Sequence, residues 1–163
     1  MGDRVIIGDE RPSARAECPA PAPPFGRAAA EGARAVLTVM LIAVAPQGMA
    51  SAPAMRRALA VAQEAPVFDG FGPEDIRALA RIVLKGLATR GPGQVIADVQ
   101  GFLPRAMAET ALALAARAVF QAGTYDRAGL DRLGALAHRL GLPPDTLAVT
   151  LDVIAALDRP APF

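Results

Sequence analysis

The residues best placed to do chemistry in this chain are a few carboxylates near helix starts and turns. Asp69, Glu74 and Asp75 lie close together, and Asp126 follows a turn between an apolar and an amphipathic stretch. A calcium or magnesium site needs several convergent oxygens, mostly from carboxylates. The first three lack the alternating ligand spacing of an EF-hand loop, and acids at a helix start account for them. Asp126 alone cannot supply such a site and reads as a helix N-cap. His138 is the only histidine and Cys18 the only cysteine, so no disulfide framework or thiolate zinc site can form. His138 lies about 150° around its helix from the apolar face, a surface position. Ser13 and Ser51 are the only serines, and neither has an obvious base to activate it. Gly70-Phe71-Gly72 and Gly91-Pro92-Gly93 lack the preceding strand and the lysine of a phosphate loop, and read as breakers. No catalytic, cofactor-binding or metal-ligating residue is assigned, and no cofactor is expected. The residues singled out for a partner surface are Tyr125, at the turn, and Arg77, Arg81 and Lys85, which fall four apart on the outside of one helix.

Helices must position these groups. The chain has 163 residues and is 53% hydrophobic, enough for one domain with a core. Its 17 basic and 16 acidic residues nearly cancel, which argues against a nucleic-acid footprint. Lys85 is the only lysine, and the Arg and Ala bias fits a GC-rich bacterial genome. Residues 1–25 are too rich in proline for a regular element and read as a disordered tail, with Val5-Ile6-Ile7 its one apolar cluster.

Helical spacing and breakers predict seven helices across residues 26–159. The first spans Ala28 to Ala45. Its apolar run Ala35–Ala45 is about half of what a bilayer requires and reads as a buried core helix. The second spans Ala52 to Glu64, with Ser51 as N-cap and Pro53 in its first turn. The third starts at Pro73, carries Ile76, Leu79, Ala80, Val83 and Leu87 inward, and closes before Gly91. A short fourth runs from Gln94 to Leu103. The fifth opens at Pro104 and is apolar except for a strip of Arg105, Glu109 and Arg117, so it is expected to be the central helix. The sixth runs from Asp126 to Leu140 with Leu130, Leu133, Leu136, Ala137 and Leu140 inward, and Gly141 ends it. The seventh follows Pro143-Pro144-Asp145, with Leu147, Leu151, Ile154 and Leu157 as its stripe. The fold class is therefore all-α, a compact bundle with antiparallel neighbours.

A shift of 75 residues lays Gly48 on Gly123, Arg57 on Arg132, Ala60 on Ala135 and Ala62 on Ala137. Both copies are an apolar helix, a glycine-containing turn and an amphipathic helix, the pattern of a duplicated helical hairpin.

The segment Leu103-Pro104 through Glu109-Thr110-Ala111 and Ala113-Leu114-Ala115 resembles the central helix of bacterial tellurite-resistance TerB-like proteins. The Leu130, Leu133, Leu136 run and the segment Ala65 to Ile76 fit the same pattern, and the resemblance covers residues 34–158. It implies an all-helical bundle of about seven helices, no established catalysis, and a role in a stress-response or membrane-associated complex. The family's acidic turns are changed here. The stretch Gln121 to Gly129 has Ala122 where an acid precedes glycine, and the first hairpin has Ala45-Pro46-Gln47-Gly48 in place of an acidic turn. A member that has lost these acids has lost most of any metal site they form. The expectation is a non-enzymatic helical binding or scaffold module of the bacterial cytoplasm, at or near the membrane, with a protein partner and no nucleic acid. The alternatives are a calcium- or magnesium-responsive module and an exported or membrane-anchored helical protein using Ala35–Ala45.

Overall fold

The computed structural model describes residues 26–121 and 124–158. They form seven α-helices: α1 (Arg27–Val44), α2 (Ala52–Glu64), α3 (Pro73–Arg90), α4 (Pro92–Gln100), α5 (Arg105–Val119), α6 (Arg127–Arg139) and α7 (Pro144–Leu157), with a 3₁₀ turn at Pro66–Phe68 before α3. Among the described residues there is no strand, and the one isolated β-bridge pairs Gln121 with Thr124 across the α5–α6 turn.

The helix ends follow from local chemistry. Ser51 Oγ accepts the Ala54 N–H at 3.3 Å, and Asp126 Oδ1 accepts the Gly129 N–H at 2.7 Å, each satisfying one of the orphan donors of a first turn. At α3 the Gly72 N–H donates to Asp75 Oδ2 at 2.8 Å. Pro104 is the N-cap of α5, so that helix starts one position after the expected residue. The fourth helix begins earlier than expected, at Pro92, and ends at Gln100, where a Gly101-Phe102 turn takes over.

The central helix is α1, which corrects the expectation for α5. Every residue from Ala35 to Ala43 is buried, and α1 packs against α2, α3, α4, α5 and α6. The reason is visible in the residues: α1 has no charged side chain after Arg34, whereas Arg105 and Arg117 keep one strip of α5 in solvent. α5 is the principal partner of α1, and their crossing carries Leu37, Met40, Leu41, Leu112, Ala111 and Ala115, all buried, through the middle of the core.

The repeat seen in the sequence has a structural counterpart. Under the 75-residue shift, α2 (Ala52–Glu64) falls on α6 (Arg127–Arg139), and the last residue of α1, Val44, falls on the last of α5, Val119. The two side-chain N-caps, Ser51 and Asp126, correspond as well. The packing is exchanged in the same sense: α2 lies on α5 and α6 on α1, while α3 lies on α1 and α7 on α5. Helix α4 lies outside this pattern and packs on α1 and α3.

Two inward assignments are corrected. Leu130 is 36% exposed and Leu157 is 79% exposed. Leu157 is the last residue of α7 and stands about 60° around that helix from the buried Ile154. On that helix Val149 and Val153 are also exposed, and Ile154 is its one buried residue.

Candidate functional site

The residues singled out from the sequence do not converge. Arg77, Arg81 and Lys85 are exposed on the outer face of α3, and Arg77 is paired with Glu74 one turn back. Asp75 caps α3 and Asp126 caps α6, so these two acids satisfy backbone donors, while Glu74 pairs with Arg77. Among the described residues no group of three or more His, Cys, Asp or Glu side chains could hold a metal ion. His138 is exposed in the last turn of α6, as its angular position requires. Cys18, Ser13 and the Val5-Ile6-Ile7 cluster lie outside the described residues.

Tyr125 packs into the hairpin end. Its ring meets Phe120 with centroids 4.8 Å apart and planes tilted by 56°, and its hydroxyl oxygen is buried without a hydrogen-bond partner. Burial, and secondarily the Asp158 carboxylate, push its pKa up to about 12. A phenol held this way has its polar tip turned away from solvent, so it is a packing element before it is an anchor for a partner.

A larger feature lies where the N-terminal ends of α1 and α5 meet. Here a cleft of about 820 Å³ opens between Arg27, Glu31 and Gly32 of α1, Val67 of the 3₁₀ turn, Phe102, and Met107 of α5. Gly32 lets Met107 pack against α1, since a Cβ there would stand 2.9 Å from the Met107 methyl group. The Gly101-Phe102 turn after α4 leaves Phe102 46% exposed where it lines the cleft. Glu31 is held by Arg34 at 2.9 Å, and its Oε2 is otherwise buried without a hydrogen-bond donor. The wall is mostly apolar, and the Glu31 oxygen that Arg34 holds is shut away from it.

A second, smaller pocket of about 170 Å³ lies between the end of α1, the start of α4 and one face of α6. Arg132, Leu136 and Arg139 reach it from α6, following the spacing that keeps residues on one helix face. Neither Phe102 nor this arginine pair stands out in the sequence as a site. The spacing of Arg132 and Arg139 around Leu136 is the signal that marks them, because a core leucine flanked by arginines at that spacing places both at the edge of the core.

No protein-family model, no curated protein and no solved structure matches the chain. Among the described residues no helix is long and apolar enough to cross a membrane.

Proposed function

We propose that this chain is a non-enzymatic, TerB-like helical binding module that takes an apolar helical segment of a partner protein into the cleft between the N-terminal ends of α1 and α5. The cleft carries the reading. It is about 820 Å³ in size, Gly32 and Met107 line it, and so does Phe102, which is 46% exposed. Covering the exposed part of such a ring contributes on the order of 1 kcal/mol, and burying the surrounding alanine and valine surface adds to that. Helix-in-groove recognition uses an apolar stripe against such a surface.

The resemblance to TerB-like proteins supplies the setting, a bacterial stress-response or membrane-associated complex in the cytoplasm, with peripheral contact to the membrane. The test is a comparison of full-length wild-type and Phe102→Asp baits in extracts of the native host. A protein retained by wild type and lost by F102D, with the circular dichroism of the two baits unchanged, supports the proposal. Equal retention by both baits defeats the cleft assignment, and reproducible turnover of a substrate by the purified protein defeats the non-enzymatic one.

A further inference from the structure

We propose that the pocket between α1, α4 and α6 binds a small organic carboxylate. This rests on a different surface from the cleft and stands without it. Two arginines, Arg132 and Arg139, line the pocket, and no acidic residue does. Arg132 is anchored, with its Nε donating to the Ala43 carbonyl at 2.7 Å, so the plane of its guanidinium is set. Arg139 lies across the first turn of α4, where a Cβ on Gly93 would stand 3.1 Å from Nη1. Gln100 donates to the Arg139 carbonyl at 2.9 Å and ties that end of α6 to α4.

The α1 C-terminal carbonyl holds Arg132, and it is on the α4 side of this corner that positive charge is unopposed. A cation over the start of a helix meets the positive end of the helix dipole, the unfavourable arrangement. α4 has no side-chain cap that would relieve it. The acid on α4, Asp98, is committed to Arg90. An anion lying between the two arginines removes this repulsion, and a planar carboxylate suits a guanidinium fork because two parallel hydrogen bonds can form.

The rest of the wall selects the body of the ligand. Ile42, Ile96, Leu136 and Pro92 present carbon. The pocket volume of about 170 Å³ is close to that of apolar cavities of roughly 150 Å³ that take up benzene. The ligand is therefore a carboxylate on a small apolar body, ring-sized or a branched chain. A bare inorganic anion would meet the arginines and leave the carbon wall wet.

Titration of the full chain with benzoate tests this, followed by calorimetry and by amide shifts in NMR spectra. The expected result is one site, with a dissociation constant of about 1 mM or tighter. Benzyl alcohol, of the same shape without the charge, is expected to bind at least tenfold more weakly, and so is inorganic phosphate. Arg139→Met is expected to weaken benzoate at least tenfold. Ala135→Phe, which fills the pocket and leaves both arginines in place, is expected to abolish binding. No saturable benzoate binding by wild type overturns the proposal. So does benzoate affinity that is unchanged in both R139M and A135F, or phosphate binding as tightly as benzoate.

Discussion

Arg57 and Arg132 stand 75 residues apart and make the same bond in exchanged halves of the bundle, Arg57 Nε donating to the Ala118 carbonyl at 3.1 Å and Arg132 Nε to the Ala43 carbonyl at 2.7 Å. Ala118 and Ala43 each precede the final residue of their helix, α5 and α1. Carbonyls there have no intrahelical donor, and the helix dipole is negative there. Each arginine therefore closes the end of the other hairpin's buried helix. Replacing either one by Met keeps most of the apolar stem and removes the donor. Both R57M and R132M are expected to lower unfolding free energy by about 1–2 kcal/mol, read from urea midpoints at unchanged slope.

Gly48 and Gly91 separate two penalties that usually arrive together. Both have φ of 78°, in the left-handed region. A Cβ at Gly48 would stand 2.6 Å from the Leu84 carbonyl and 2.8 Å from the Ala88 Cβ, whereas a Cβ at Gly91 meets nothing within 4 Å. Gly91→Ala is expected to cost about 1 kcal/mol, the conformational term alone. Gly48→Ala must also push the first hairpin turn away from α3, and is expected to cost at least about 1 kcal/mol more. Equal losses in thermal or urea unfolding would show that the turn yields without resistance.

Much of this fold could be read from residue spacing. Prolines and glycines mark most helix boundaries, and Ser51 and Asp126 mark two N-caps as a hydroxyl and a carboxylate at helix starts should. The Arg57 and Arg132 correspondence was visible too, although not the exchanged bonds, because those join residues far apart in the chain. Choosing between α1 and α5 as the central helix required weighing three charged side chains on α5 against an uncharged run in α1. Periodicity could not place Leu157, since α7 is apolar on nearly all sides and its stripe does not say which face meets α5, nor Leu130, which has the right spacing on α6 but lies in its first turn at the edge of the bundle. The cleft and the arginine pocket were not legible, because each is built where three separate segments meet.

Tyr125 makes alkaline stability a specific readout. The chain contains one tyrosine and no tryptophan, so phenolate absorbance reports this group alone. Its folded pKa is about 12 against 10.0 for the free phenol, raised first by burial and then by Asp158. The unfolded chain therefore loses its phenolic proton first. Stability is unaffected by this group below pH 10 and falls as pH rises from about 10 towards 12. Spectrophotometric titration is expected to show a midpoint well above that of the urea-unfolded chain. Tyr125→Phe removes a buried hydroxyl that has no partner, so it is expected to leave neutral-pH stability unchanged or raise it by up to about 1 kcal/mol. A Y125F protein that loses stability at neutral pH would reveal a hydrogen bond to the hydroxyl.

Asp126 separates a capping carboxylate from a remnant metal ligand. Its Oδ1 accepts the Gly129 N–H at 2.7 Å, the same contact that Ser51 makes with Ala54 at 3.3 Å in the other hairpin. Asp126→Ala removes the acceptor and is expected to cost about 1 kcal/mol, whereas Asp126→Asn retains an oxygen and is expected to cost only a few tenths. Ser51→Ala breaks the longer of the two bonds and is expected to cost less than D126A. The α6 cap also sets a close contact, since a Cβ at Gly129 would stand 2.5 Å from Val119 Cγ1, so loosening the first turn of α6 disturbs its seat on α5. Melting in millimolar calcium or magnesium completes the test. A cap gives wild type and D126N the same small response to metal, because the stabilisation comes from a backbone donor. A ligand gives wild type a metal-dependent rise in Tm that D126N loses, and that outcome would restore the ion-binding reading of this turn.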